Sequence, residues 1–333
     1  MKAWKYIGLR LITWALVIWI GVTFVFIIPR LFPSNPVENM ISRITAMSGT
    51  MDAIQVEALR RQLRVQFGLD GSLWEQYTTY IKNGLFGFNF GPSLMNYPTP
   101  VGEIIGRYLP YTLFLSVTSV IIAWTIGNFI GLLAGFRKNK RSSKILEGIA
   151  ITIYPIPYFI LALVLQIVFG FLLGWFPMTA NILTTAKDRG VFFASLLRNS
   201  VLPALSLLLV GTGWWIISMK SLSSSIAEED FVQYARYRGL SERRIGASYV
   251  LRNSIISQVT ALALSLGGVF NGSLITEIVF NYPGVGKLIQ QAILSSDYNM
   301  ILGTITISII AIATATLVAD LIYPFIDPRI RYS

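Results

Sequence analysis

Residues Glu228 to Asn253 read EEDFVQYARYRGLSERRIGASYVLRN, and this stretch decides how the rest of the chain is interpreted. It is the longest charged stretch between two apolar segments, and together with Lys220 just upstream it holds six basic and four acidic residues. Gly239 lies between two short amphipathic patterns. The stretch therefore predicts a helix, a left-handed turn at the glycine and a second helix. A stiff projection of this kind in an apolar chain indicates a surface that another protein holds.

Local signals support the two helices. Serines 223–225 are candidate N-cap residues for the first helix, and Glu228, Glu229 and Asp230 would place negative charge in its first turn. Its predicted apolar face consists of Phe231, Val232, Tyr234 and Ala235. Ser241 can cap the second helix, whose predicted apolar side consists of Ile245, Tyr249 and Leu251. A helix lying flat on the bilayer is the alternative, but leading acidic residues are repelled by anionic headgroups.

The composition is that of a membrane protein. Of 333 residues, 54% are hydrophobic and only 13% are charged, whereas soluble domains carry about 25% charged residues. The net charge of +11 does not indicate a nucleic-acid partner, because the basic residues lie in short loops beside apolar segments, as the positive-inside rule predicts. The expected partner is the lipid bilayer.

Several kinds of chemistry are excluded by residue type. The chain contains no cysteine and no histidine, which removes thiol nucleophiles, disulfides, zinc and iron–sulfur sites and the usual general base. The fragment Gly284 to Lys287 resembles the end of a phosphate-binding loop, but Asn281 and Leu288 stand where such a loop needs glycine and Ser or Thr. We predict no enzyme activity, no metal site and no cofactor in this chain.

Six apolar segments are long enough to span a bilayer, which needs about 20 residues each. The first resembles a signal peptide but lacks a cleavage site, so it is predicted to be an uncleaved helix. Pro155 and Pro157 predict an early kink or a broken first turn in the third. The predicted spans are residues 11–28, 111–136, 148–175, 199–219, 254–276 and 300–323.

Loop charges predict the orientation of these spans. Five basic residues crowd the connection 137–144, and the N-terminus and the 220–252 loop are also basic. These sides are therefore predicted to be cytoplasmic, and six spans place the C-terminus there too. Residues 32–110 are nearly neutral and are predicted to form a small external subdomain with helices at 51–65 and 73–81. The predicted segments are residues 1–31, the first helix; 32–110, the subdomain; and 111–333, the core.

Polar residues inside the spans have two interpretations. They line a solute path, or they form hydrogen bonds between helices, and the second is favoured for each of them. The lining candidates are Asn128, Gln258 and Asn271, with Gln166 and the tryptophans at 214 and 215 as further ones. Gly127, Gly131 and Gly135 allow close helix approach, for which packing inside one subunit is favoured over a dimer face.

Residues 230–244, DFVQYARYRGLSERR, resemble the conserved cytoplasmic loop of ABC importer permeases, in the version found in the dipeptide/oligopeptide family. The residues that match its pattern are Asp230, Phe231, Val232, Ala235, Arg236, Gly239, Leu240, Ser241 and Arg244. The similarity continues through residues 251–253, 277–284, 320–323 and 327–331, and upstream through 67–70 and 107–110. Gln233 replaces the glutamate of the broader importer motif, and Leu251-Arg252 replaces its Leu-Pro; both departures fit the peptide branch.

The resemblance implies an all-α fold, namely a polytopic membrane protein with six transmembrane helices and the type I importer permease architecture. It implies that this chain forms the solute path with a second homologous permease, in a heterodimer. It also implies that an extracytoplasmic solute-binding protein delivers the solute and that two ABC ATPase subunits bind ATP and Mg²⁺. The residues implied to contact the ATPases are Asp230, Phe231, Ala235, Arg236, Gly239, Leu240, Ser241 and Arg244.

The solute stays open, because family members carry dipeptides, oligopeptides, nickel chelates or oligosaccharides. Peptides are the expectation. A secondary transporter is the alternative of a different class, but it would need carboxylates or broken helices at mid-bilayer, and a channel would need a selectivity filter. Glu147, Glu277 and Asp320 all lie near span ends, which favours the importer permease.

Overall fold

The described parts of the chain are helical. The computed structural model describes residues 3–31, 36–48, 52–136, 141–183, 188–267 and 273–326, and within them it contains no β-strand beyond one isolated bridge between Pro92 and Pro100. In chain order the helices are α1 (Ala3–Arg30), α2 (Pro36–Ser48), α3 (Ala53–Gln66), α4 (Leu73–Tyr80), α5 (Val101–Phe136), α6 (Arg141–Ile153), α7 (Tyr158–Leu165), α8 (Arg189–Ala227), α9 (Asp230–Tyr237), α10 (Glu242–Ile245), α11 (Arg252–Gly267), α12 (Leu274–Val279), α13 (Val285–Leu294) and α14 (Tyr298–Ile326). Helices α4, α7 and α10 run on into π-helical turns, at Ile81–Phe86, Gln166–Leu172 and Gly246–Leu251.

Four described helices are long and apolar enough to cross a membrane. They are Trp4–Ile28, Val101–Phe136, Arg189–Ala227 and Tyr298–Ile322, and they coincide with the first, second, fourth and sixth predicted spans. Two of them are longer than predicted. Helix α5 continues through Pro110, where the prediction began the span, and α8 extends beyond both ends of its predicted span, with Pro203 inside it as predicted. Membrane helices tolerate internal proline when neighbouring groups satisfy the freed backbone.

The third predicted span is broken. Helices α6 and α7 meet at a 98° bend across Tyr154 to Pro157, so of the two predicted alternatives, a kink or a break, the structure shows a break. The pair counts as a fifth span if both halves belong to one crossing. The fifth predicted span, 254–276, falls on α11 and the start of α12, with residues 268–272 outside the described part of the chain.

Helix contacts divide the chain into two compact units. Unit 1 comprises residues 1–10, 112–282 and 314–333, and unit 2 comprises 11–111 and 283–313. The boundaries between these units fall inside α1, α5 and α14, so the units describe how helices pack and not where segments begin and end. The predicted segments 1–31, 32–110 and 111–333 stay a prediction.

Unit 2 contains the predicted subdomain helices. Helices α3 and α4 match the predicted ones, and Gly68 and Gly71 between them both have positive φ, as is common where a helix ends. Helix α2 was not predicted; it packs Val37, Met40 and Ile41 against Leu63 of α3 and is tied to α3 by the Arg60–Glu38 ion pair at 2.8 Å. The Arg60 guanidinium holds the pKa of Glu38 below its usual value.

Unit 1 is built around the contact between α5 and α8. Any Cβ added to Gly127, Gly131 or Gly135 of α5 would lie less than 3 Å from atoms of α8. The glycines therefore let two long helices touch backbone to backbone, and the favoured interpretation, packing inside one subunit, is confirmed. Lys220 of α8 forms an ion pair with Glu147 of α6, which joins a third helix to the pair.

Candidate functional site

Helices α9 and α10 and the turn between them form a compact projection, which we call the knob (residues 230–245). Gly239 has φ +74°; its N–H donates to the Arg236 carbonyl at 2.9 Å, and the Leu240 N–H donates to the Ala235 carbonyl at 3.3 Å. These two bonds form a Schellman motif, with the expected apolar contact between its ends, since Leu240 and Ala235 belong to one cluster. The predicted helix–glycine–helix structure is present.

The knob has a buried inner side. Val232 and Ala235 of α9 and Ile245 of α10 are buried together with Ala227 and Val250. Half-buried side chains from the end of α5 complete this cluster, namely Leu132 and Phe136. The knob is therefore packed against the ends of α5 and α8 and against the π-helical turn Gly246–Leu251, which leads into α11.

The outer side of the knob is aromatic. Phe231, Tyr234 and Tyr237 recur every third residue and are 44%, 64% and 87% exposed. The predicted apolar face of α9 was thus only partly right, because Val232 and Ala235 point into the core while Phe231 and Tyr234 point out. Tyr237 was missed in the sequence; the i, i+3, i+6 spacing of aromatic residues is the signal that indicates it.

Polar and charged residues of the knob are exposed as well. Asp230 begins α9 and is exposed, as are Ser241 and Arg244 on the other helix. The Arg238 guanidinium lies 6.0 Å from the ring centre of Tyr234. An exposed aromatic stripe with a polar rim is typical of a protein–protein contact.

Arg236 is half-buried and forms bonds that hold the knob together. Its guanidinium bonds Glu242 of α10 at 3.2 Å and the Ala227 carbonyl of α8 at 3.5 Å, and it lies 5.9 Å from the ring centre of Phe136. Gln233 donates to the same Ala227 carbonyl at 3.3 Å. Arg236 therefore links the knob to α8 and α5.

The predicted caps are corrected. The serines at 223–225 lie inside α8, which continues to Ala227, and the buried Ser223 hydroxyl donates to the Met219 carbonyl at 2.7 Å. Glu229 occupies the N-cap position of α9, and Ser241 that of α10, but neither side chain forms a capping bond. A serine inside a helix often donates to the carbonyl four residues before it. Ser223 forms this bond and does not cap α9.

The predicted lining residues are bound elsewhere or lie outside the described residues. Asn128 donates to the Trp124 carbonyl at 2.8 Å, and the Gln258 amide donates to the Ser218 hydroxyl at 2.9 Å, while Trp124 donates to the Gln258 carbonyl. The contacts of Gln258 with α8 and α5 are hydrogen bonds between helices, as favoured, whereas Asn128 bonds within its own helix. Asn271 lies outside the described residues. Trp214 and Trp215 do line a cavity of unit 1.

Comparisons with known proteins agree on one family. Residues 127–332 match the family described as "Binding-protein-dependent transport system inner membrane component". The oligopeptide transport system permease protein AppB of Bacillus subtilis (strain 168) is 31% identical over 317 residues, covering 94% of this chain and 95% of the relative. The glutathione transport system permease protein GsiC of Escherichia coli (strain K12) is 30% identical over 328 residues, covering 98% and 99%. The protein of the same name in Salmonella choleraesuis (strain SC-B67) is 32% identical over 308 residues, covering 92% of each chain.

Proposed function

Since this chain belongs to the family of binding-protein-dependent transport system inner membrane components, we propose that it imports di- and oligopeptides as one of two homologous permease subunits. The family membership makes it a multi-pass permease component of an ABC importer. Peptides are favoured as the solute because the relatives described above are named for oligopeptide and glutathione transport, and glutathione is itself a peptide.

The knob is proposed to receive the force that drives transport. Its aromatic outer side is exposed, and its inner side is packed on the ends of α5 and α8 and on the helical turn Gly246–Leu251 that leads into α11. A load applied to the outer side therefore reaches α5 and α8 by contact, and α11 through this turn, without first deforming a loop. This combination of an exposed contact surface and a buried base is the observation that carries the proposal.

The proposed partners supply what the chain lacks. Two ABC ATPase subunits bind ATP and Mg²⁺ and contact the knobs, a solute-binding protein delivers the peptide, and a second permease completes the path. Closure of the ATPases shifts the permease pair between inward and outward states, which requires contacts that differ in strength between the two states. The knob and both termini then face the cytoplasm, as the basic loops predict.

The test is uptake of trialanine by the transporter reconstituted in liposomes with its second permease, ATPases and binding protein. We expect ATP-dependent uptake by the assembly and none by this chain alone. Uphill uptake by this chain without ATPase subunits would refute the driven mechanism. Uptake of an oligosaccharide or a nickel chelate with no uptake of peptides would refute the assignment of peptides as the solute.

The knob's role is tested with Tyr234→Ala and Tyr237→Ala combined in one variant. Because both side chains are exposed, their loss should leave folding intact and weaken ATPase binding; a contact aromatic typically contributes about 2 kcal/mol or more, which is ~30-fold in Kd. Trp74→Ala removes an aromatic residue that is 71% exposed outside the knob and is the matched control. Unchanged ATPase affinity in the double variant would contradict the proposal.

A further inference from the structure

Unit 1 contains an open cavity of about 430 Å³, and no knob residue lines it. It lies between α5, α8 and α11 and is bordered by Tyr154 and Tyr158, on either side of the break between α6 and α7. Its other lining residues include the serines at 116, 119 and 273 and the tryptophans at 214 and 215. None of the lining residues in the described part of the chain is acidic or basic.

Three serines that line this cavity have buried hydroxyls without a protein partner. Ser116, Ser119 and Ser273 are 3%, 2% and 1% exposed, and their Oγ atoms have no hydrogen bond within the described protein. In contrast, Thr118 and Thr125 on the same helix donate to the carbonyls of Phe114 and Ile121. A buried hydroxyl without a partner costs roughly 1–3 kcal/mol. Each of these Oγ atoms is inaccessible to water in this structure, so a group bound in the cavity removes this cost once the serine side chains rotate toward it.

The opposite wall of the cavity is aromatic. Tyr154 is the first residue of the break after α6, and the centre of its ring lies 5.5 Å from that of Trp214. Tyr158 is the first residue of α7, and Trp215 of α8 is buried. Non-helical backbone at membrane depth is tolerated only where it is buried in protein or lines a cavity.

We propose that this cavity is a solute-contact site on the translocation path and that it takes an uncharged peptide group, namely a backbone amide with its apolar side chain. An amide donates and accepts, as the serine hydroxyls can, and the Tyr154–Trp214 wall covers an apolar side chain. A charged side chain would lose its hydration here without gaining a counter-charge. The proposal rests on the proposed function and assigns a part of the solute to a place in this chain.

A lipid acyl chain is the competing occupant. It would satisfy the aromatic and aliphatic walls, but it has no group that can bond the hydroxyls of Ser116, Ser119 and Ser273. The three unpartnered hydroxyls therefore favour a ligand that carries hydrogen-bonding groups.

The absence of native cysteine allows a direct test by thiol labelling. Ser119→Cys and Ser273→Cys place a thiol in the cavity of the assembled transporter, with Ser206→Cys as control. Ser206 is equally buried, but its hydroxyl donates to the Pro203 carbonyl and does not line the cavity. The reagent is a water-soluble methanethiosulfonate that attaches a quaternary ammonium group, and trialanine uptake by each variant is compared with its own untreated sample.

We expect both cavity variants to react during ATP turnover and to lose at least ~10-fold of their uptake. The reason is that an unpaired buried cation costs several kcal/mol, and each 1.4 kcal/mol is about tenfold. Trialanine delivered by the binding protein should slow the labelling. The Ser206→Cys control should neither react nor lose uptake.

Three results would overturn the cavity assignment: full uptake after labelling of Ser119→Cys, labelling that trialanine does not slow, or reaction only with a lipid-soluble maleimide. The last result would show a lipid-filled cavity. Failure of the wild-type assembly to transport any peptide would instead refute the proposed function. The two failures are therefore distinguishable.

Discussion

Gly239 determines whether α9 can turn back into α10. Its φ of +74° lies in the left-handed region, and a Cβ added there would meet no atom within 4 Å. The requirement for glycine is therefore set by backbone conformation and not by space. This is why sequence alone could predict the turn: a left-handed residue after a helix favours glycine whatever surrounds it.

Two substitutions at this position separate strain from volume. For a non-glycine residue the left-handed conformation costs about 1–2 kcal/mol, and a β-branched side chain is a genuine outlier there. Gly239→Val should therefore lower uptake several-fold while ATP hydrolysis by the assembly continues, whereas Gly239→Asn, which tolerates this conformation, should retain most of the uptake. The measurement is the ratio of trialanine transported to ATP hydrolysed. Equal ratios in both variants would show that the turn does not matter for coupling.

Other residues of the knob could not be assigned from sequence. Arg236 matches the family pattern, yet its guanidinium bonds Glu242 and the Ala227 carbonyl. Its partners lie six and nine residues away on two other helices, so no local pattern reveals them. Phe231 and Val232 are neighbours in sequence and both apolar, and only the packed structure shows that one is exposed and the other buried.

At the scale of helices, prolines explain both the correct and the incorrect predictions. Pro155 and Pro157 fall close together and produce the 98° break between α6 and α7, so a kink or a break was predicted but not its angle. Pro110 and Pro203 each stand alone, and α5 and α8 continue through them. Whether a proline ends a membrane helix depends on what bonds the freed carbonyl, and that group is supplied by tertiary contacts.

The contact between α5 and α8 predicts that two glycine-to-alanine substitutions on α5 change the stability of the protein in opposite directions. In Gly131→Ala the new Cβ would lie 2.7 Å from the Ile216 carbonyl oxygen, so the helices must separate, and overpacking of this kind costs about 1–3 kcal/mol. In Gly106→Ala the Cβ meets nothing within 4 Å, and the higher helix propensity of alanine stabilises by up to ~1 kcal/mol. Thermal unfolding of the purified chain in detergent measures both. A lower melting temperature for Gly106→Ala than for Gly131→Ala would contradict this account of the glycine stripe.

For the whole chain, composition and span count were sufficient to predict the fold class, because a bilayer dictates helices of about 20 apolar residues. The family resemblance was likewise readable from short motifs and is confirmed by the match of residues 127–332. The cavity was not predictable. Its lining comes from α5, α8, α11 and the residues beside two helix breaks, and single polar residues of a span do not show which of them face one another.

Orientation is the property of the whole chain that charge alone predicts. Basic residues crowd the connection 137–144 and the 220–252 loop, whereas Lys287 is the only basic residue between the fifth and sixth predicted spans. The positive-inside rule therefore places the knob in the cytoplasm and α4 outside. In cells that express the chain without its ATPases, we expect a membrane-impermeant maleimide to label Trp74→Cys in intact spheroplasts and Tyr237→Cys only in inside-out vesicles. Both positions are highly exposed and the native chain has no cysteine, so each signal reports one side. Labelling of Tyr237→Cys in intact spheroplasts would invert the topology, and the knob could then not contact a cytoplasmic ATPase.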